Sequence, residues 1–242
     1  TIQQICEELG NAYTGSDAAA SRLGMDKAAS RRRFEEAGIP VPRWRLLDLS
    51  RGSSALQDAA AAVSYPLVVK PRSQGSSIGI SVVWRPNELD RAIDVARPFG
   101  SQLLIEAFIE GREITVGILG DEALPVVEIR PSQPFFDYQA KYVAGTTQYL
   151  APAPLEPSVA AAAQAVARAA HRTLGCRHLS RADLILNRSN LPVLLEGNTI
   201  PGFTPTSLLP KAAACMGTSY DALCEQLVVM AWQSALHPVK SE

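Results

Sequence analysis

Two periods alternate along the first half of the chain. From Asp17 to Gly38, apolar positions recur at helical spacing among Ala, Arg and Glu, which predicts two helices. Pro40 and Pro42 in GIPVPRW then exclude helix and favour an extended connection. ALQDAAAAVSY reads as a further helix, and PNELDRAIDVARPFG as another with Pro86 near its start. Between them stands LVVKPRSQGSSIGISVV, a β-branched run that ends at Lys70, crosses Gly75, Ser76, Ser77 and Gly79, and returns to an apolar strand. QLLIEAFI follows as a strand of the fully buried kind. Two helix-then-strand units around a hairpin predict a small α+β lobe over residues 25–110.

The pattern changes in the second half, residues 111–242. REITVGILG and ALPVVEIRP are strands separated by a Gly-Asp-Glu turn. The stretch that follows carries aromatics, Gly145 and three prolines with no sustained period, which predicts a long irregular loop over 131–154. Loops of that length in compact domains are usually functional or disordered. EPSVAAAAQAVARAAHRTLG is an amphipathic helix, with Pro157 in its first turn and Gly175 past its end. SRADLILNRSNLPVLLEGNT is two strands about an Asn-Arg-Ser-Asn turn, and a last helix runs from near Tyr220 to about Leu236. At the start, TIQQICEELGNAYTGS reads as a short amphipathic helix, a glycine stop and a strand-like exit with nothing before it to pack against. Residues 1–24 are therefore expected to be the tail of a larger, mostly missing N-terminal domain.

Charge narrows the choice of partner. Of 242 residues, 23 are basic and 24 acidic, so nothing points to nucleic acid or an anionic membrane, and a small ligand is expected. No apolar run approaches the roughly 18 residues that span a bilayer, and the N-terminus has no apolar signal core, so a cytoplasmic protein is expected. Cys6, Cys176, Cys215 and Cys224 include no Cys-x-x-Cys pair, and His171, His178 and His237 form no ligand spacing with them. Buried reduced thiols are expected.

Three segments carry chemistry. Small residues after Lys70 expose backbone N–H groups beside an ammonium, which makes a concavity for phosphate oxygens, although an ordinary Gly/Ser hairpin has the same composition. Arg181-Ala-Asp183 and Glu196-Gly-Asn198 stand on neighbouring strands, and residues two apart share a face. If these faces meet, Asp183, Glu196 and Asn198 make a set of hard oxygen ligands of the kind Mg²⁺ takes, with Arg181 beside it to stabilise developing charge. A surface hairpin with ordinary ion pairs is the alternative. In TIPGFTPTSLL, Gly202 leaves its N–H accessible and Ser207 can donate to a carboxylate, where a plain turn is again the alternative.

Six segments in order, TGSDAAASRLGMDK, LVVKPRSQGSSIGISV, QLLIEAFIEGREITVGILGDEALPVVEI, FFDYQAKYVAGTTQYLAPA, SRADLILN and LLEGNTIPGFTPTSLLPKAA, closely resemble D-alanine–D-alanine ligase of the ATP-grasp superfamily. The resemblance implies an α+β, ATP-grasp fold in which two α+β lobes grip ATP between antiparallel sheets. It implies that Lys27 and Lys70 contact the ATP phosphates and that SQGSSIG is a mobile loop over the triphosphate, with Ser76 facing substrate. Glu106 and Ile109 match the hinge where adenine pairs, Phe108 an apolar wall, and Glu113 the ribose-binding acid. Lys141 and Tyr142 match an omega loop that closes the site. Asp183, Glu196 and Asn198 match ligands of two magnesium ions, for which Mn²⁺ could substitute. Arg181 and the Gly202 N–H match oxyanion stabilisers, and Ser207 and Leu208 the pocket for the second substrate's carboxylate.

The implied reaction is ATP-dependent ligation of two D-alanines through an acylphosphate, for peptidoglycan precursors. A homodimer is compatible with it. Lys141-Tyr142 resembles the pattern of enzymes that join two D-alanines. Ligases using D-lactate or D-serine, other ATP-grasp carboxylate-amine ligases, and a non-catalytic nucleotide-binding fragment are the rival expectations.

Overall fold

The computed structural model describes residues 1–131 and 147–236. Three helices open the chain: α1 (Ile2–Glu8), α2 (Ala18–Met25) and α3 (Lys27–Glu36). Asp17 caps α2 by accepting from the Ala20 N–H, and Asp26 caps α3 by accepting from the N–H groups of Ala28 and Ala29. The exit from α1, expected to be strand-like, is turn and coil instead. Glu7 accepts there from the Tyr13 hydroxyl at 2.6 Å and the Ala18 N–H at 3.0 Å, which folds the segment back on its own helix instead of along a sheet.

Beyond Pro42 the chain builds a four-stranded antiparallel sheet from β1 (Trp44–Asp48), β2 (Leu67–Pro71), β3 (Ser81–Val83) and β4 (Gln102–Ala107), in the order β1-β4-β2-β3. Period-two alternation gives each strand one apolar face. Leu67, Val69, Val83, Leu103 and Ile105 pack under α4 (Ser53–Val63) and α5 (Leu89–Ala96). The helix expected over PNELDRAIDVARPFG is α-helical only in its centre. Pro86 and Pro98 lie in flanking 3₁₀ turns, and the Pro98 ring lacks the N–H that continuing the helix past Ala96 would require. The other face of this sheet presents Lys70 and Glu106, and beside them Trp44 and Leu104 receive Ala28 of α3.

A second antiparallel sheet contains β5 (Gly111–Leu119), β6 (Glu122–Ala123), β7 (Val127–Pro131), β8 (Thr147–Leu150), β9 (Leu179–Asn187) and β10 (Pro192–Asn198). Its order is β10-β9-β5-β7-β8, with β6 on β5. Part of the expected irregular loop is thus strand β8, whose pairing with β7 stabilises a segment too short to show its own period. One face lies under α6 (Pro157–Leu174), where Ala163, Ala167, Ala170 and Leu174 form a narrow stripe against Ile114, Val116, Leu184 and Leu194. The opposite face is covered at one end by α7 (Leu208–Ala214) and α8 (Tyr220–Leu236), through Leu209, Leu223 and Leu227. Its uncovered end faces the first sheet. None of the helices among the described residues is long and apolar enough to cross a membrane.

The cysteines are free but not buried as expected. Cys215 is exposed and the other three are partly so. Cys215 follows α7, where its thiol donates to the Lys211 carbonyl and faces outward.

Candidate active site

A cleft of about 730 Å³ opens between the two sheets. The first sheet contributes Val68, Lys70, Glu106 and Phe108, the second Glu113, Asp183, Ile185 and Glu196, and Lys27 enters from the first turn of α3. Of the residues singled out in the sequence, Lys27, Lys70, Ser76, Glu106, Phe108, Ile109, Glu113, Asp183 and Glu196 all line this cleft.

Lys70 and Glu106 stand diagonally across β2 and β4, since Val68 is the residue opposite Glu106. Both are almost fully buried and form an ion pair. Burial pushes the Lys70 ammonium below its usual value, and the Glu106 carboxylate acts in the opposite sense. Glu106 accepts a second charged bond, 2.7 Å, from Arg31 of α3. A lysine that sequence alone could have left in water is therefore a buried, paired cation.

Lys27 ties the loop after β2 to the far sheet. Its Nζ donates to the Gln74 carbonyl at 2.8 Å and lies 3.1 Å from Glu196 Oε2. Arg72, at the base of the loop, pairs with Asp26, and its carbonyl accepts from the Lys27 N–H at 3.0 Å. The Arg72 hydrogen bond is the main cause of a lowered Asp26 pKa. At the tip, Ser76 and Ser77 both adopt positive φ, a conformation uncommon outside glycine. Gly79 has φ +72°, and a Cβ there would sit 2.7 Å from Phe99 and 2.8 Å from Pro71, so only glycine fits.

On the second sheet, Asp183 collects four donors. Arg181 approaches it with Nε and Nη2, each at 2.8 Å, Thr115 Oγ1 donates at 2.8 Å, and Asn198 Nδ2 at 2.9 Å. Arg181 and Asn198 are opposite one another in register, as are Asp183 and Glu196. That register contains a bulge between Leu194 and Glu196, which leaves Leu195 as the additional residue. The bulge matters because Leu194 packs in the core under α6. In a strict ladder Glu196 would follow Leu194 to that face, whereas here both Leu195 and Glu196 line the cleft.

Gly202, Ser207 and Leu208 lie outside the lining of the cleft, in the segment between Asn198 and α7. Ser207 Oγ accepts from the Thr204 N–H at 3.0 Å, and Leu208 packs against Ile129, as Tyr149 does. Lys141 and Tyr142 fall outside the described residues. The sequence reading missed Trp84, whose ring centroid is 5.2 Å from that of Phe108 at the cleft wall. Alternation from buried Val83 places Ile80 and Trp84 on this side of β3, so parity was an available signal. Also missed was Glu128, which Arg112 holds at 2.7 Å and whose pKa the Arg112 hydrogen bond lowers.

The family model described as D-ala D-ala ligase C-terminus matches residues 34–229. The chain belongs to the D-alanine–D-alanine ligase family. A D-alanine–D-alanine ligase from Synechococcus sp. (strain JA-2-3B'a(2-13)) is 40% identical over 235 residues, which cover 97% of this chain and 72% of the relative. Among solved structures, a D-alanine–D-alanine ligase from Bacillus anthracis complexed with ATP superposes with a TM-score of 0.87 at 28% identity, over 99% of this chain and 76% of that one. A D-Ala:D-Ser ligase from Enterococcus faecalis also gives 0.87, at 33% identity over 96% and 68%. The two facing antiparallel sheets are those of the ATP-grasp fold.

Proposed function

We propose that this chain is an ATP-dependent ligase that joins two D-alanines into D-alanyl-D-alanine for cell-wall precursor synthesis. The observation that carries this reading is that Lys27 of α3 and Lys70, Asp183 and Glu196 of the two sheets converge on one cleft in a chain of this family. Two lysines suit phosphate oxygens, to which they pair as point charges. Phe108, Ile109 and Trp84 offer an apolar wall for adenine, the hinge at Glu106 and Ile109 takes its polar edge, and Glu113 takes the ribose hydroxyls.

Asp183, Glu196 and Asn198 offer two carboxylates and an amide oxygen, a donor set that fits Mg²⁺ better than a softer metal. Bound there as a pair of ions, for which Mn²⁺ could substitute, the metal would neutralise phosphate charge during transfer. In the first step a carboxylate oxygen of one D-alanine attacks the γ-phosphorus, the bond to ADP breaks, and an acylphosphate results. The amine of the second D-alanine then attacks the acyl carbon, loses a proton, and expels inorganic phosphate. Lys27 and Lys70 hold the phosphates for the first step. For the second, Arg181 and the Gly202 N–H receive the oxyanion, and Ser207 and Leu208 hold the acceptor's carboxylate. Ser76, with Lys141 and Tyr142, closes the site against water that would hydrolyse the acylphosphate.

Incubation with ATP, MgCl₂ and D-alanine, followed by phosphate release and mass spectrometry of the product, tests the reading. D-Alanine-dependent phosphate release with recovery of the dipeptide is expected. Nucleotide binding with no such release would reduce the chain to a nucleotide-binding unit. The similarity to a D-Ala:D-Ser ligase motivates a second arm, in which D-serine and D-lactate compete as acceptors and D-alanine is expected to predominate.

A further inference from the structure

Arg31 lies one helical turn beyond Lys27 on α3 and is only 2% exposed. It does not line the cleft, yet its guanidinium reaches both sheets. Nη1 donates to the Leu194 carbonyl at 2.8 Å, and Nη2 donates to the Leu195 carbonyl at 2.9 Å and to Glu106 Oε2 at 2.7 Å. Those two carbonyls belong to the bulge in β10.

We propose that Arg31 is a positioning residue whose guanidinium fixes the β10 bulge and thereby turns Glu196 toward the cleft. The proposal rests on the reading of Glu196 as a metal ligand given above. β10 is an edge strand, so carbonyls on its outer side have no neighbouring strand to pair with, and buried carbonyls without donors are costly. A planar guanidinium can serve two successive carbonyls and a carboxylate at once, because its donors are fixed in a fork. The bulge decides which way Glu196 faces, for the reason of parity with Leu194. Arg31 thus acts on the site through main chain it never shares with a substrate.

Lysine at this position keeps a charge beside Glu106 but cannot hold both carbonyls, so Arg31→Lys separates the two tasks. ATP affinity is measured by calorimetry in EDTA and across a Mg²⁺ series for the wild type, Arg31→Lys, Glu196→Gln and the double variant. Arg31→Lys is expected to raise the half-saturating Mg²⁺ concentration about tenfold, as loss of an outer-shell partner does at other metal sites. Its affinity in EDTA should stay within about twofold of wild type, because the cation beside Glu106 is retained. The double variant should need no more Mg²⁺ than Glu196→Gln alone, since both changes act on one ligand. Equal losses with and without Mg²⁺, or full additivity in the double variant, would overturn the proposal while leaving Glu196 a ligand. Wild-type Mg²⁺ dependence in Glu196→Gln would remove the metal reading itself, and the proposal with it. If Arg31→Lys lacks a cooperative melting transition, Arg31→Gln, whose amide still donates to carbonyl oxygen, replaces it in the same series.

Discussion

Lys70 shows how much a single buried charge depends on its neighbours. Its ammonium is held in a nearly water-free place by Glu106, which in turn shares its second oxygen with Arg31. Three charges in contact leave one net positive charge facing the cleft, which is what an incoming polyphosphate would meet. Lys70→Met keeps the apolar stem and removes the charge, so nucleotide affinity should fall by about tenfold to a hundredfold, the value of a charge-assisted hydrogen bond. An unchanged dissociation constant by calorimetry would make Lys70 a partner for Glu106 and nothing more.

Among the elements, α3 combines charged and apolar contacts on one helix. Lys27, Arg31 and Phe34 fall at i, i+4 and i+7, so one face carries a cleft lysine, the bridging guanidinium and an apolar anchor. Phe34 is 1% exposed and packs in the core of the second sheet, while Ala28 packs on the first. Phe34→Ala should therefore cost about 3–5 kcal/mol in stability and also weaken nucleotide binding, because the helix that carries Lys27 would lose its seat. Denaturant unfolding with and without ATP checks both effects, and a stability loss with full affinity would show that α3 is held in place by its charges alone. Element by element, much of this was legible in the sequence: both lobes, the β9–β10 hairpin, and α6 with its proline start and glycine end. What could not be read is which way β10 turns its side chains. Alternation places Glu196 with Leu194, and only a bulge stabilised by Arg31, far away in sequence, sends it elsewhere. Strand β8 escaped for a similar reason, since its order comes from β7. Trp84 was readable from parity and overlooked because a lone tryptophan past a short strand carries no motif.

Across the whole molecule, a single imidazole joins distant parts of the chain. His178 accepts from the Gly15 N–H at Nδ1, 3.1 Å, and meets Ser234 of α8 at Nε2, 2.8 Å. An Nδ1 that accepts cannot carry a proton, so this arrangement requires the neutral ring. Burial lowers the His178 pKa from its ordinary 6.5, and Arg177 adds to the effect; burial lowers His171 as well. The unfolded chain therefore binds these protons at higher pH than the folded one. Their stabilising contribution is complete above about pH 6.5 and is lost as pH falls through the depressed folded values. Carboxylates with lowered values, such as Asp26 and Glu128, act further into the acid range. The melting temperature should accordingly drop between about pH 7 and pH 5, and His178→Gln should flatten that slope. An identical slope in the variant would assign the pH dependence to other groups.

The wall of the cleft also has an optical consequence. Trp44 is packed beneath α3 and Trp232 stands on the outside of α8, which leaves Trp84 as the indole that borders the cleft between the sheets. It is 57% exposed, so its emission is that of a ring in water until something displaces that water. A purine stacked near Phe108 would do so, and ATP titration should shift or quench the wild-type signal while Trp84→Phe stays silent. The protein thus contains its own fluorophore for following nucleotide occupancy in real time, with no label attached.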